Sequence, residues 1–344
     1  MNAQTISNFA DRLVGWTEVL LTHRARRIEK KKRKQKKRGV VIEWLDAFLW
    51  AVMVVLLLNQ YLLQAYQIPS GSMRPTLIGG IDPYSGQRST SDRIFVDKIT
   101  FGPEALPGLG KIKGFRESRR GEVIIFENPE YDSPSLAHEI TQRILYMVTL
   151  SMVDLNRQNG ETAHQFLIKR QVAEDGDTVN FRRGFLSLKN RGEQEFIPEE
   201  DFKALSGLEY ENRVLLNEGY YEKQEAALEL LRLEDAGLPL SADLKARSNA
   251  PWVSSLKKTM RDLYAQNRVD MERLEILYPQ NEAVSRAHAA YEQGIYVPEG
   301  WVLPLGDNRS DSGDGRYFGP IPQTDVLGRA LFLYWPLGRA GVIR

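Results

Sequence analysis

Gln67-Ile-Pro-Ser-Gly-Ser-Met-Arg-Pro-Thr-Leu77 is the stretch around which this chain is organised, and it follows directly on the one strongly hydrophobic run in the protein. It carries two serines, Ser70 and Ser72, with Gly71 between them and Pro69 and Pro75 on either side. The prolines fix φ and push the residues before them toward extended conformations. The glycine lets the backbone bend sharply or approach a ligand closely. A serine on such a turn can be presented to a carbonyl group. The same composition also suits a proline-rich connector between a membrane helix and a soluble domain, so the flanking sequence has to decide.

Upstream, Ala47 to Leu58 is wholly apolar. About 20 residues are needed to cross the hydrocarbon core of a bilayer, and Trp44 to Tyr66 supplies that length with aromatic residues at both ends. The run Arg24 to Arg38 is almost solidly basic. Alone it would suit a nucleic-acid patch, a nuclear signal or a juxtamembrane flank, and the apolar run beside it selects the flank. No nucleic-acid partner is expected. Residues 1–23 have the pattern of a short amphipathic helix, lying on a membrane or simply fraying. Positive charge upstream of the span and none just downstream puts the N-terminus in the cytoplasm. A cleavable signal peptide fits poorly, because the basic leader is very long and cleavage after Ala65 would place Leu63 where a small residue is preferred. The expectation is a cytoplasmic basic segment over 1–43 and a retained transmembrane anchor over 44–66. Ser72, six residues past Tyr66, would then lie within roughly 20 Å of the outer membrane surface.

Composition narrows the chemistry. The chain has 344 residues, a net charge of +1, no cysteine and four histidines. Disulfides, thiolate nucleophiles and cysteine-ligated metals are excluded. None of the histidines has metal-ligand spacing. Nucleophilic catalysis here is expected to work without histidine, and no metal or cofactor is expected.

Downstream, Arg93 to Phe101 and Glu122 to Phe126 read as strands, and Ile140 to Leu155 as an apolar helix. Phe166-Leu-Ile-Lys-Arg-Gln-Val172 reads as a strand with Lys169 inside it. A lysine there has two readings. It faces solvent on an edge strand, or it is buried with a lowered pKa, and then its neutral amine can act as a general base toward a serine hydroxyl. From 183 to 294 the pattern turns helical, most clearly over Glu222–Leu233, Trp252–Leu277 and Asn281–Gln293. The β pattern then returns and leads into Gly306-Asp-Asn-Arg-Ser-Asp-Ser-Gly-Asp-Gly-Arg316. No glutamate stands where an EF-hand needs one. The arginines interleaved with aspartates suggest internal ion pairs that stiffen the loop. The chain closes with a strand over Ala330–Trp335.

Ser70-Gly-Ser-Met73, the Lys169-Arg170 strand and Gly306-Asp-Asn-Arg309 with Ser312, Asp314 and Arg316 resemble, in that order after an N-terminal anchor, the sequence boxes of type I bacterial signal peptidases. The resemblance covers roughly residues 60–126, 166–182 and 295–335. It implies a Ser-Lys dyad endopeptidase that removes signal peptides from exported preproteins at Ala-x-Ala sites. By position Ser72 resembles the nucleophile and Lys169 the general base. Ser70 resembles an oxyanion-hole donor, and Ser312 the residue that orients the lysine amine. Asp314 with Arg316, and Asp307 with Arg170, resemble the ion pairs that hold the loop. Gln67, Ile68, Pro69, Met73, Leu167 and Ile168 resemble the substrate-binding positions. The usual proline is missing from Ala173-Glu-Asp-Gly-Asp177, and Ser310, Asp311 and Gly315 replace commoner residues. An S-x-x-K acyl enzyme is disfavoured by Pro75. A catalytically silent, membrane-anchored binding protein with the same fold is the competing reading.

The expected architecture is therefore a mainly β catalytic domain of antiparallel sheets over 67–182 and 295–344. It has one N-terminal transmembrane helix and an α-helical insertion over 183–294. The expected partners are signal peptides of secreted preproteins, membrane lipid and the secretion translocon. The expected location is the inner (cytoplasmic) membrane, crossed once, with the catalytic domain outside.

Overall fold

The computed structural model describes residues 40–82, 85–104, 111–131, 166–214, 218–248 and 262–344, with scattered positions at 22, 26 and between 141 and 162. The expected helices over 1–23 and 140–155, the basic run 24–38 and positions 252–261 lie outside the described residues or nearly so. Two compact units are present, residues 1–55 and 56–344.

Helix α1 (Val40–Tyr61) runs across the boundary between the units. Its residues 41–61, free of proline and glycine, contain an 18-residue window with a mean hydropathy of 2.2 and have the length to cross a membrane. The helix stops short of the expected Tyr66. Residues Leu63–Gln67 form strand β1 instead, because strand β2 (Arg93–Asp97) offers five ladder partners from Leu63↔Asp97 to Gln67↔Arg93. Leu62 links the two elements. Its N–H closes the last helical turn on the Leu58 carbonyl, and its own carbonyl accepts from Lys98 N–H.

The remaining strands are β3 (Val123–Glu127), β4 (Arg157–Gln158), β5 (Glu161–Thr162), β6 (Phe166–Ala173), β7 (Thr178–Arg182), β8 (Phe185–Lys189), β9 (Ile197–Pro198), β10 (Ile295–Tyr296), β11 (Trp301–Leu305), β12 (Ile321–Pro322), β13 (Val326–Trp335) and β14 (Gly341–Val342). Eight of them form one antiparallel sheet in the order β1-β2-β13-β3-β6-β11-β12, with β14 on β13. Strands β1 and β6 are separated in this order by three others, yet the Tyr66 ring meets Phe166 edge-on at 6.1 Å. The sheet therefore curls, as strand twist favours. Tyr66, Ile68, Met73, Leu77, Ile94, Val96 and Ile125 fill its concave side. A second sheet, β10-β7-β8-β9, packs Val179, Phe181, Leu186 and Leu188 against Leu303 and Leu305. Its β7–β8 hairpin turns through Arg183 and Gly184, both at positive φ, as a two-residue hairpin loop requires.

Residues 183–294, expected as helical, begin with β8 and β9, and helices follow only from Glu199. They are α2 (Glu199–Ser206), α3 (Glu218–Asp235), α4 (Ala242–Ser248), α5 (Leu263–Leu277) and α6 (Glu282–Gln293). Asn281 caps α6 by accepting from Ala283 N and Val284 N. Helices α3 and α5 are tied by Asp235–Arg273 and Arg232–Glu272 ion pairs. Tyr264 of α5 seats the helices on the second sheet, its ring 5.0 Å from Phe181. A last short helix, α7 (Gly315–Phe318), closes the Gly306–Arg316 loop.

Candidate active site

The serine turn is held from below by apolar side chains and from the side by backbone. Ile68, Met73 and Leu77 are buried in the curled sheet's core. Arg74 N donates to the Gly71 carbonyl and Leu77 N to the Met73 carbonyl. Across the turn, Asn308 N donates to the Ser72 carbonyl at 3.0 Å and Asn308 Nδ2 to the Gly71 carbonyl at 3.1 Å. The 306–316 loop is thereby attached to the serine turn at two adjacent carbonyls.

Lys169 lies on β6 between β3 and β11, opposite Ile124, and is 3 % exposed. The solvent-facing reading of this lysine is therefore overturned. Its Nζ donates to Ser72 Oγ at 2.8 Å, and the Ser70 hydroxyl donates to the same oxygen at 3.3 Å. Burial pulls the lysine pKa from 10.5 down to about 8. The charges of Asp314, Asp307 and Asp311 pull it upward, and Arg316 pushes it further down. An amine with that pKa is largely available as a base at mildly alkaline pH, within direct reach of a hydroxyl.

Two ion pairs frame the Ser72–Lys169 contact. Arg170, next to Lys169 in β6, meets Asp307 in a fork of two hydrogen bonds, and the Thr76 hydroxyl donates to Asp307 Oδ2 at 2.6 Å. Arg316 grips Asp314 through Nε and Nη2, at 2.9 and 3.1 Å, while Gly306 N donates to Asp314 Oδ2. Burial opposes the ionised Asp314, but Arg316's charge and these hydrogen bonds hold its pKa below the ordinary value. Ser312 Oγ is buried with no hydrogen-bond partner and makes no bond to Lys169. It sits over Gly306, where an added Cβ would come within 2.2 Å of Ser312 Oγ and 2.6 Å of the Ser72 carbonyl oxygen. Only glycine leaves the two segments this close.

Of the residues assigned by resemblance to substrate binding, Ile68 and Met73 are buried, Gln67, Leu167 and Ile168 are half-buried and Pro69 is exposed. Leu167 and Ile168 pair with Phe126 and Ile125 on one side, whereas β11 joins β6 only from Arg170 onward. Among the described residues, the other edge at 167–168 carries no ladder partner.

Several residues of the site had no role in the sequence reading. Glu199, at the start of α2, is buried and takes Arg309 Nη2 at 2.5 Å. It also accepts from Tyr210 Oη at 2.9 Å and Asn212 Nδ2 at 2.6 Å. The Tyr210 ring lies 4.4 Å from the Arg170 guanidinium carbon. Arg213 N donates to the Asp307 carbonyl and Arg309 N to the Arg213 carbonyl. The segment 199–213 is thus a brace behind the loop. Its sequence signal, three acidic residues opening a helix, is that of an ordinary solvated first turn. Among the described residues no cluster of histidine, aspartate or glutamate is placed to hold a metal ion.

Comparison with known families matches residues 41–335 to the family described as signal peptidase, peptidase S26. The chain belongs to the peptidase S26 signal peptidases. Membership makes it a serine endopeptidase of the type I signal peptidase kind. It is 20 % identical over 312 residues to a protein named signal peptidase I from Buchnera aphidicola subsp. Baizongia pistaciae, across 87 % of this chain and 81 % of the relative. It is 24 % identical to signal peptidase I from Aquifex aeolicus, across 83 % and 80 % of the two chains. With signal peptidase I from Haemophilus influenzae the identity is also 24 %, across 86 % and 72 %.

Proposed function

We propose that this signal peptidase cuts N-terminal signal peptides from exported preproteins at Ala-x-Ala sites, with Ser72 as nucleophile and Lys169 as general base. The observation that carries this reading is the 2.8 Å contact between a buried, pKa-lowered amine and the serine oxygen. The neutral amine takes the Ser72 proton while Oγ attacks the scissile carbonyl. The Ser72 backbone N–H and the Ser70 hydroxyl receive the oxyanion. The lysine then returns its proton to the leaving amine, and a water activated by the same amine releases the acyl group. Ser312, whose buried hydroxyl has no hydrogen-bond partner in the fold, is left to turn toward the lysine amine and orient it. The Arg170–Asp307 and Arg316–Asp314 pairs hold the loop against the dyad.

The substrate adds as an extended strand along the open edge at Leu167 and Ile168, with Gln67 to Pro69 on its other side. Ile68 and Ile168 line the small pockets that admit alanine, and Met73 packs beneath them. Residues 67–182 and 295–344 act as the catalytic domain, and 183–294 as an insertion within it. Helix α1 anchors the chain in the inner membrane with its basic leader in the cytoplasm, and the serine works at the outer face.

The test is cleavage of a preprotein bearing an Ala-x-Ala site by the detergent-solubilised full chain, with Ser72→Ala and Lys169→Ala beside it. Wild type should cut after the second alanine, and both variants should be inert. A wild type inert on several preproteins would favour the silent binding protein. Cleavage by Ser72→Ala would place the nucleophile elsewhere.

A further inference from the structure

Asn308 belongs to the 306–316 loop, and the mechanism above gives it no role. It is fully buried. Its backbone is held from several directions. Arg213 N donates to the carbonyl of Asp307, just before it, and Arg309 N, just after it, donates to the Arg213 carbonyl. Asp311 N donates to its own carbonyl at 3.0 Å. The residue is therefore a fixed point, and it faces the serine turn.

Two peptide planes meet at the Ser72 Cα, and Asn308 bonds to both. Its N–H donates to the Ser72 carbonyl at 3.0 Å, which belongs to the Ser72–Met73 peptide. Its Nδ2 donates to the Gly71 carbonyl at 3.1 Å, which belongs to the Gly71–Ser72 peptide. A carbonyl oxygen only accepts, so the amide atom that meets it is the nitrogen. The C=O and N–H of one peptide point in opposite directions within its plane. With the Gly71 carbonyl turned toward Asn308, the Ser72 N–H points away from it. Among the described residues that N–H has no hydrogen-bond partner. Arg74 N also donates to the Gly71 carbonyl at 3.1 Å, but this bond is internal to the turn and travels with it. Asn308 Nδ2 reaches the carbonyl from a different segment. Asn308 Oδ1 is buried without a partner. The side chain thus carries an unsatisfied acceptor, which costs stability, and its hydrogen bond goes to Gly71.

We infer that Asn308 is a positioning residue: by bonding to both peptide planes at Ser72 it aims the free Ser72 N–H at the oxyanion. The inference rests on the Ser72–Lys169 reading. Asn308 touches no reacting atom and acts only through the serine backbone. A preorganised donor matters most where charge develops in the transition state. A loosened plane therefore slows the chemical step more than it weakens substrate binding.

The experiment uses the detergent-solubilised full chain, an Ala-x-Ala preprotein and two peptide probes. One probe is a peptide aldehyde ending at alanine. Ser72 Oγ attacks its carbonyl carbon, a C–O bond and an oxyanion form, and the serine proton passes to Lys169. The other probe is the matching alcohol, which cannot form that bond. Asn308→Ala keeps the main-chain bonds and removes Nδ2. It should lower kcat by about tenfold to a hundredfold, with KM within about twofold of wild type. It should weaken the aldehyde by a factor similar to the loss in kcat/KM and leave the alcohol unchanged. The acidic limb of the pH profile should keep its wild-type midpoint, because Lys169 is untouched. Asn308→Ser, whose hydroxyl is too short to reach the Gly71 carbonyl, should lose in the same direction, and it carries the test if Asn308→Ala does not fold. A merely structural role would lower the melting temperature and weaken aldehyde and alcohol together. That result overturns the inference, as do variants whose kcat and aldehyde affinity stay within about twofold of wild type. Cleavage by Ser72→Ala, or a wild type that binds the aldehyde no tighter than the alcohol, would instead overturn the Ser72 reading itself, and the inference with it.

Discussion

Arg170 and Asp307 meet Nε to Oδ1 at 2.9 Å and Nη2 to Oδ2 at 2.8 Å, with neither side chain exposed to solvent. The pair joins the strand that carries Lys169 to the loop that clamps the Ser72 carbonyl. A buried pair of this kind contributes less to net stability than to geometry, but breaking one half of it strands a charge.

Asp307→Asn should therefore destabilise the protein by about 3–5 kcal/mol. The double variant Asp307→Leu with Arg170→Met should cost less than Asp307→Asn alone. Chemical unfolding of the solubilised protein measures both. A single-variant loss below about 1 kcal/mol would mean that water reaches the guanidinium.

Lys169 links activity to a stability cost. Its folded pKa of about 8 lies below its ordinary 10.5, so protonation is penalised in the folded state only. The sign follows: the penalty is full below about pH 8, shrinks as pH rises and is gone above about 10.5. That gap corresponds to about 3 kcal/mol. Lys169→Met should be inactive yet more stable than wild type at about pH 6, with the advantage fading toward about pH 10.5. Unfolding of both proteins across that range checks it, and an advantage that does not depend on pH would contradict it.

Gly306→Ala adds one methyl group where Ser312 Oγ and the Ser72 carbonyl oxygen already stand. The serine turn would have to shift. A displacement of about 1 Å near reacting groups can lower the rate about a hundredfold. The expected result is a kcat loss of that order with KM changed far less, read by steady-state kinetics. A kcat within about twofold of wild type would show that the loop yields without moving the serine.

Glu199→Gln removes the charge facing Arg309 from the brace behind the loop. Arg309 is 3 % exposed, so its unpaired guanidinium should lower stability by about 3 kcal/mol or more. Cleavage should fall as well, since Arg309 Nη1 donates to the Gly306 carbonyl. Glu199→Asp, which retains the charge, should recover part of both. Thermal unfolding and cleavage assays together test it, and unchanged values for Glu199→Gln would remove the brace from the account.

The site was legible in the sequence where its parts follow one another in order. Ser70, Ser72 and the aspartate-arginine loop are each ambiguous alone and become readable through their order after the apolar run, while strands such as Val123–Glu127 show as short β-branched and aromatic runs. Lys169 was half-legible. A lysine in an apolar strand stays ambiguous until β3 and β11 are known to flank it. The end of the apolar helix was misplaced because Leu63 to Tyr66 is compatible with a continuing helix, and only pairing with β2 makes it a strand. The brace was not legible at all. Glu199, Tyr210 and Arg213 are polar residues in a short helix and loop, and nothing local says that they turn inward toward Arg309 and Arg170. The resemblance gave Ser312 the lysine as its neighbour, yet its hydroxyl carries no bond to that amine in the fold.

Leu62 has a mechanical consequence. Its N–H is bonded to the helix and its carbonyl to Lys98 N–H, one position before the Leu63↔Asp97 rung, so no unbonded residue separates the helical turn from the β1–β2 ladder. An inserted run of glycines after Tyr61 would part the last helical turn from that ladder without touching a single residue of the candidate site.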